Sequence, residues 1–304
     1  MPSKPDRESP DQYSYRMRWL ALTLLRPYLR NPWIDKGKWF IMHHLNPKVG
    51  MESCWARLGK RVVYTRYGFR LHVDPIYAAH RLIYFTGEYE PVVSRLIASI
   101  IGPGWRFIDV GANVGFYTLL AAALADEVVS IEPNPVTRGQ LLQNVELNPY
   151  NRITVLPIAL SEKPGVLSLF QDGLDCGGAN LLRRPSQNSY EYRVEVRRGD
   201  DVIPPTKLGR TFLKLDTEGY EHRVALGCKN LLRDHHCVVL SEITDAWLKQ
   251  SGTSASQYFD FMRELGYIPY VVGHPRTGLY TKPSLTRQER PLDESQYNVL
   301  FRRD

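Results

Sequence analysis

The stretch Asp109-Val-Gly-Ala-Asn-Val-Gly115 decides the fold class. It follows an apolar strand predicted over Arg106–Val110 and leads into a helix predicted over Val114–Ala125. Glycines at a turn from a strand to a helix let the backbone bend sharply and approach a ligand closely. In open α/β sheets such turns lie at the carboxyl ends of the strands, where ligands bind. The stretch therefore predicts the first strand and the ligand-binding turn of a doubly wound sheet.

From Trp105 onward, short apolar strands alternate with helices, a pattern typical of βαβ units and a parallel sheet. The predicted strands are Arg106–Val110, Glu127–Ile131, Ile153–Ile158, Phe212–Leu215 and Cys237–Ser241, and the helices between them are Val114–Ala125, Pro135–Leu147 and Tyr220–Leu232. A helix over Ser256–Leu265 precedes two further strands, Tyr267–Val272 and Tyr297–Arg302. Because no long helix joins these two strands, the last one is predicted to pair antiparallel. The predicted fold class is α/β, a doubly wound (Rossmann-like) sheet that is mainly parallel with an antiparallel last strand.

Residues 61–304 are predicted to form this domain, and residues 1–60 a basic, partly helical N-terminal extension. A hairpin is predicted from Arg61–Arg66 and Arg70–Val73, followed by a helix that begins at Glu90 or Pro91. The connection 161–210 is too long for an ordinary αβ loop. It is predicted to hold a hairpin, Val166–Phe170 with Tyr192–Val196, with Gly173, Gly177 and Gly178 at its tip. This insertion is either an acceptor lid or a surface flap.

Positive charge is concentrated near the N-terminus. Residues 1–70 hold 14 Lys/Arg and 5 Asp/Glu, whereas the rest of the chain holds 25 Lys/Arg and 27 Asp/Glu. Because the basic residues lie outside the α/β domain, the sequence predicts no nucleic-acid partner. In the extension, four arginines flank an apolar helical pattern: Arg16, Arg18, Arg26 and Arg30 around Trp19, Leu20, Leu24 and Leu25. We favour a helix packed on its own domain with a solvated basic face, and the alternative is contact with an anionic membrane surface.

The cysteines Cys54, Cys176, Cys228 and Cys237 form no metal-ligand or redox motif and are predicted to be reduced thiols. No apolar run is long enough for a membrane-spanning helix, and the N-terminus is not typical of a signal peptide. The sequence therefore predicts a cytoplasmic protein.

The glycine turn and the acid after the next strand predict a nucleoside ligand. Glu132 stands 21 residues after Gly111, where a carboxylate accepts hydrogen bonds from ribose hydroxyls. The spacing G-x-x-x-G differs from the G-x-G-x-x-G that packs a diphosphate onto a helix, and Asp109 suits a cationic amino-acid ligand. The pattern therefore favours S-adenosylmethionine over NAD, although Asp109 and Glu132 could instead cap a turn and a helix. The predicted cofactor-binding residues are Asp109, Gly111, Ala112, Asn113, Gly115, Glu132 and Asn134.

A second cluster, Lys214-Leu-Asp-Thr-Glu-Gly-Tyr-Glu221, follows the fourth strand. Strand alternation puts Lys214 and Asp216 on one face, as functional groups or as an ion pair that only orders the strand end. The predicted catalytic residues are Asp216 as first candidate for the base, Glu218 as second, Glu242 at the same rim, and Lys214. A divalent metal held by the three carboxylates is an alternative that we do not expect. His222 is predicted to be a surface residue, and His235 and His236 receive no role.

Four segments together resemble the FkbM-type methyltransferases: Asp109-Val-Gly-Ala-Asn-Val-Gly-Phe-Tyr117, Glu132-Pro-Asn-Pro135, Ala159-Leu-Ser-Glu-Lys-Pro-Gly165 and Lys214-Leu-Asp-Thr-Glu-Gly-Tyr-Glu221. The resemblance covers roughly Val62 to Phe301, and Thr217 stands where many members carry valine. It implies S-adenosylmethionine as methyl donor and a hydroxyl of a sugar, glycan or polyketide as acceptor. The alternatives are an NAD(P)-dependent sugar oxidoreductase, and a non-catalytic adapter on the same fold.

Overall fold

A computed structural model describes residues 10–31, 58–172, 179–180, 189–234, 236–273 and 283–303. The chain divides into two compact units, of which the first holds the described residues before Val92 and the second those from Val92 onward. Each unit is described by itself. The predicted division between an extension and a catalytic domain at residue 60 stays a prediction.

The first unit contains a long helix, a hairpin and a shorter helix: α1 (Pro10–Arg30), β1 (Arg61–Tyr64), β2 (Arg70–Val73) and α2 (Ala78–Thr86). The predicted hairpin is confirmed, because β1 and β2 pair antiparallel with Arg61 opposite Val73. Alternation along the strands turns Val63 and Leu71 into the core, where they join Phe69. Helix α1 packs on α2.

The face that α1 buries is not the predicted one. Leu22 and Leu29 are fully buried, whereas Leu20 and Leu24 are exposed. The Arg26 and Arg30 side chains turn inward, because both donate hydrogen bonds to the carbonyl oxygen of Tyr84, at 3.2 and 3.0 Å. The helix is packed on its own unit, as we expected, but it does so through Leu22 and Leu29, and Leu20 and Leu24 are exposed.

The second unit is built around a sheet whose described strands run in the order β13-β12-β14-β11-β10-β3-β4-β5. Neighbouring strands from β11 to β5 are parallel, and β14 lies antiparallel between β11 and β12. The strands are β3 (Trp105–Val110), β4 (Glu127–Ile131), β5 (Ile153–Leu156), β10 (Arg210–Leu215), β11 (His236–Ile243), β12 (Ile268–Gly273), β13 (Ser284–Arg287) and β14 (Tyr297–Arg302). The doubly wound fold and its antiparallel last strand are confirmed, and β13 is an additional edge strand.

Helices cover this sheet and carry its crossovers. They are α3 (Pro91–Ile100), α4 (Phe116–Ala122), α5 (Pro135–Glu146), α6 (Gly199–Val202), α7 (Glu221–Gly227), α8 (Lys229–Asp234), α9 (Asp245–Gln250) and α10 (Ala255–Glu264). The central strands β3, β10 and β11 are buried on both faces, as expected for a sheet layered between helices.

One predicted helix is divided in two. The sequence predicts a helix over Tyr220–Leu232, but α7 ends at Gly227 and α8 begins at Lys229. A Cβ atom on Gly227 would lie 2.3 Å from the Ser161 carbonyl oxygen, so the chain approaches a neighbouring backbone here. The Asp200 carboxylate then accepts hydrogen bonds from the N–H groups of Asn230 and Leu231, at 3.0 Å each, and caps the new helix.

The insertion between β5 and β10 forms a second sheet in the order β6-β9-β7-β8. Its strands are β6 (Ala159–Leu160), β7 (Gly165–Asp172), β8 (Ala179–Asn180) and β9 (Ser189–Arg197). The predicted hairpin is confirmed by the antiparallel pairing of β7 with β9, in which Leu167 faces Val194. The predicted tip glycines, Gly173, Gly177 and Gly178, lie outside the described residues.

Among the described residues, no helix combines the length and the apolar character that crossing a membrane requires.

Candidate functional site

The predicted site residues gather where β3 and β10 meet at the carboxyl edge of the main sheet. The strand order reverses between these two strands, because β4 follows β3 on one side and β11 follows β10 on the other. The parallel register pairs Asp109 with Lys214 and Val110 with Leu215. The Asp216 N–H donates to the Val110 carbonyl oxygen at 3.1 Å, so the segments that follow the strands are in contact. Doubly wound sheets form their ligand crevice at this reversal.

The turn Gly111–Gly115 has a left-handed backbone that delays the helix. Gly111, Asn113 and Gly115 have φ values of 80°, 51° and 92°, so the predicted helix start at Val114 is wrong and α4 begins at Phe116. A Cβ atom on Gly111 would lie 1.9 Å from the Asp216 carbonyl oxygen, and one on Gly115 would lie 2.4 Å from a Leu141 methyl. Gly111 is therefore required by a close backbone contact as well as by its backbone conformation, and Gly115 is favoured by its backbone conformation.

The N–H groups of this turn are all used within the protein. Gly111 and Ala112 donate to the Ile131 carbonyl oxygen at 3.0 and 3.1 Å, and Gly115 donates to Ala112 at 2.9 Å. Asn113 donates to Glu132 Oε2 at 2.8 Å, and Val114 donates to the Asn113 side chain at 2.7 Å. A diphosphate held at a glycine turn needs N–H groups that point at the ligand. This turn supplies none from Gly111 to Gly115.

Glu132 joins the turn to the end of β4. Its two carboxylate oxygens accept the N–H groups of Asn113, at 2.8 Å, and Asn134, at 2.9 Å. The side chain is almost fully buried, and this burial raises the pKa of Glu132 to about 7 in spite of both hydrogen bonds. Each carboxylate oxygen has a second lone pair, so Glu132 can accept further hydrogen bonds from a ligand.

Asn134, a predicted cofactor-binding residue, is the N-cap of helix α5. Its side-chain oxygen accepts the N–H groups of Val136 and Thr137 at 2.9 and 3.3 Å. Its side-chain nitrogen donates to Gln171 of the insertion at 2.8 Å. The residue is fully buried, so the side chain is committed to the helix start and to strand β7.

Asp109, another predicted cofactor-binding residue, is fully buried. No part of the residue is exposed, and its Oδ2 accepts a hydrogen bond from Thr118 at 2.8 Å. The Thr118 hydroxyl lies 2.8 Å from the Ser130 hydroxyl on β4. Burial raises the pKa of Asp109, and the nearby Lys214 ammonium opposes that shift. Asp109 therefore contacts Thr118 and Lys214, and its role in cofactor binding stays a prediction.

Lys214 is a buried ammonium placed between two carboxylates. Its Nζ lies 3.0 Å from Asp216 Oδ2 and 3.6 Å from Asp109 Oδ1. It also lies 4.8 Å from the centroid of the Tyr117 ring, within cation–π range. The predicted placement of Lys214 and Asp216 on one face is confirmed. Asp216 differs from Asp109 in being 32% exposed, so a substrate can reach it.

Glu221 organises the segment after β10, a role that we did not predict. Its Oε1 accepts the N–H and hydroxyl of Thr217, at 2.7 and 3.0 Å, and the Gly219 N–H at 3.1 Å. Glu218, between them, has a left-handed φ of 55°, which is costly for a side chain other than glycine. Burial raises the pKa of Glu221. The Thr217 hydroxyl, which valine would lack, gives this carboxylate an additional donor.

Glu242 lies one residue beyond Ser241, the last residue of β11 that pairs with β10. It therefore follows the same carboxyl edge as Asp216, as predicted, and it is partly exposed. In the described part of the chain, no group of three or more His, Cys, Asp or Glu is placed to hold a metal ion.

His222 is a core residue rather than the surface histidine that we predicted. It is buried and stacks on Tyr258 with ring centroids 5.4 Å apart. Burial lowers its pKa to about 4, so the ring is neutral near pH 7. His236 begins β11 at the opposite edge of the sheet, and His235 lies outside the described residues.

Comparison with known proteins gives a family but no curated relative. No curated protein matches the chain. A solved FkbM methyltransferase from Methylobacillus flagellatus is 17% identical over 75% of this chain and 54% of that chain, with a TM-score of 0.40. The chain thus spans about half the length of that protein.

Two other solved structures have similarly low scores. Precorrin-6y C5,15-methyltransferase from Geobacter metallireducens is 12% identical over 70% of this chain and 88% of that chain, with a TM-score of 0.37. A protein from Streptococcus mutans, solved in complex with SAH, is 9% identical over 71% of this chain and 98% of that chain, with a TM-score of 0.41.

The family comparison is decisive, because the methyltransferase FkbM domain matches residues 109–269, more than half of the chain. This range begins at Asp109 and includes both the glycine turn and the segment after β10. The chain therefore belongs to the FkbM methyltransferase family.

Proposed function

We propose that the protein transfers the methyl group of S-adenosylmethionine to a hydroxyl oxygen on a sugar, glycan or polyketide-like acceptor. The observation that carries the proposal is the Gly111–Gly115 turn, whose N–H groups all donate within the protein. A dinucleotide would need some of them for its diphosphate. S-adenosylmethionine has no phosphate, so the same turn can pack against it without free donors.

The residues around the turn suit a nucleoside with a free ribose. Glu132 is held at the end of β4 by Asn113 and Asn134. Its remaining lone pairs can accept the two ribose hydroxyls. The close approach of Gly111 to Asp216 brings the donor turn next to the residue that we assign to proton removal.

Bound S-adenosylmethionine would supply a methyl group on a positively charged sulfur, which is the electrophile. The acceptor hydroxyl is a poor nucleophile, and Asp216 is placed to take its proton because the carboxylate is partly exposed. Lys214 orients Asp216 through the hydrogen bond at 3.0 Å. As the oxygen–carbon bond forms, the carbon–sulfur bond breaks, and its electron pair stays on sulfur. In-line positioning supplies much of the rate enhancement in such a displacement.

We assign an acceptor-lid role to the insertion. Gln171 of β7 accepts a hydrogen bond from Asn134, which follows Glu132 at the carboxyl edge. This contact supports an insertion that lies beside the donor site.

Glu218 and Glu242 are the other candidate bases. We propose a small-molecule or glycan partner rather than a nucleic acid.

Two experiments test the proposal. Calorimetry of the full chain with S-adenosylmethionine, S-adenosylhomocysteine and NAD should show binding of the first two and none of NAD. A screen with methyl-labelled donor over glycans, lipid-linked sugars and polyketide alcohols should then give a labelled product whose methyl is attached to oxygen. Saturable binding of NAD without any response to S-adenosylhomocysteine would contradict the proposal.

A further inference from the structure

Helix α1 has one face that its own unit explains completely. Leu22 and Leu29 are fully buried, and Arg26 and Arg30 donate to the Tyr84 carbonyl oxygen. The Arg26 guanidinium also lies 4.1 Å from the centroid of the Tyr84 ring. These contacts anchor the helix and fix which side faces outward.

The outward side carries a stripe of large apolar side chains. Met17, Leu20 and Leu24 are 50%, 43% and 71% exposed. Their spacing of three and four residues places them in one row on a helix. An amphipathic helix normally turns such a row toward a core, whereas α1 already uses Leu22 and Leu29 for that purpose. The row is therefore an apolar surface on the outside of the first unit.

The charge of this part of the chain indicates what the surface contacts. The helix contains four arginines and one aspartate, and Met17 stands between Arg16 and Arg18 in the sequence. Residues 1–70 hold 14 Lys/Arg against 5 Asp/Glu, whereas the rest of the chain is slightly acidic. Apolar side chains within a strongly basic segment are typical of helices that lie in the interface of anionic membranes.

We infer that α1 lies on an anionic phospholipid surface, with Met17, Leu20 and Leu24 inserted between the headgroups. The helix lies on the membrane and does not cross it, in agreement with its exposed and buried faces. Basic residues of the N-terminal region supply long-range attraction, and the apolar row supplies the contact that resists salt. The inference is independent of the methyl-transfer proposal, because it uses only residues of the first unit.

Vesicle flotation of the full chain tests this inference. The protein should float with vesicles of phosphatidylcholine mixed with phosphatidylglycerol and should bind much more weakly to phosphatidylcholine alone. High sodium chloride should weaken the binding without abolishing it. Absence of binding to the anionic vesicles at low salt would overturn the inference.

Point variants separate the apolar row from the basic charge. Leu20→Gln with Leu24→Gln keeps charge and helix propensity, and it should lower the vesicle partition coefficient by about tenfold or more, because two apolar contacts are lost. Leu142→Gln with Val166→Gln is the matched control, since both residues are exposed apolar side chains of the second unit. It should leave binding unchanged.

Two results with these variants would overturn the inference. Equal binding by the Leu20/Leu24 variant and the control variant would place the membrane contact elsewhere. Sedimentation that shows self-association of the wild type, abolished in the Leu20/Leu24 variant and without vesicle binding, would make a second copy the partner. Deletion of α1 is a poorer test, because it would also remove the buried Leu22 and Leu29.

Discussion

Replacing Glu132 with glutamine should change how stability depends on pH. Burial raises the pKa of this carboxyl from an ordinary 4.5 to about 7. Between these two values the folded protein holds a proton that the unfolded chain releases, so Glu132 makes the free energy of unfolding fall as pH rises through this window. Above pH 7 the carboxyl is ionised in both states and the full cost of burying the charge is present.

The size of this effect follows from the shift itself. At 1.36 kcal/mol for each pKa unit, ionised Glu132 costs the fold about 3 kcal/mol above pH 7. Glutamine has a single acceptor oxygen, so the variant leaves one of the Asn113 and Asn134 N–H groups unpaired. That loss of about 1–3 kcal/mol is the same at every pH. The ionisation of Glu132 is therefore measured by how the difference in free energy of unfolding between variant and wild type changes with pH.

The measurement is a series of urea titrations of both proteins from about pH 5 to pH 8. The free energy of unfolding of the variant, relative to wild type, should increase by about 3 kcal/mol across this range. Calorimetry adds a functional readout, because ribose hydroxyls donate best to an ionised carboxylate. The affinity of wild type for S-adenosylhomocysteine should rise as pH increases to about 7 and then level off. The variant should show no such rise.

A stability difference that stays constant with pH would refute the argument, because it would mean that burial does not raise the pKa of Glu132. A stability difference that changes with pH as expected, together with a ligand affinity that does not change with pH, would refute only the proposal that Glu132 binds the ribose hydroxyls. Glu132 would then be a buried residue that holds the turn and the start of α5.

Three further predictions test neighbouring parts of the site. Asp216→Asn should lower turnover by about 10²- to 10⁴-fold with almost unchanged affinity for S-adenosylhomocysteine, and loss of that affinity would place Asp216 in the donor site. Lys214→Met should lower the free energy of unfolding in urea titrations by about 3–5 kcal/mol, because it leaves buried Asp109 without its ammonium. Adding Asp109→Asn to this variant should recover most of the lost stability. A double variant that is no more stable than Lys214→Met alone would contradict the role of the ion pair. Gly111→Ala should cost about 3 kcal/mol or more, since its Cβ meets the Asp216 carbonyl oxygen. Gly139→Ala, with open space around it, should be neutral or slightly stabilising, and equal effects of the two would contradict the packing argument.

Periodicity and turn residues were sufficient to predict the parallel strands of the main sheet. Every predicted parallel strand of the main sheet is present, because apolar runs between glycine and proline turns reflect burial on both faces. The antiparallel β14 followed from connection length alone. The edge strand β13 was missed, since the segment Ser284–Arg287 is partly exposed and, among the described strands, pairs only with β12.

Backbone conformation was harder to predict than strand positions. The sequence does not show that Asn113 and Glu218 adopt left-handed φ values, because both residues are compatible with helices and turns. These conformations depend on contacts from distant segments. Glu132 accepts the Asn113 N–H across 19 residues, and Glu221 fixes the groups on either side of Glu218.

The acidic residues at the carboxyl edge show why residue type alone could not assign roles. Asp109 and Glu221 are buried and their oxygens hold other parts of the protein, so the costs of their burial are offset by local hydrogen bonds and by Lys214. Asp216 shares the same ammonium but remains partly exposed. A strand pattern places all of these carboxylates at one edge, yet their exposure is set by partners such as Thr118, which comes from a helix. Exposure to solvent therefore distinguishes the two acids next to Lys214, since Asp216 is partly exposed and Asp109 is not, and this difference is the reason that we propose Asp216 as the base.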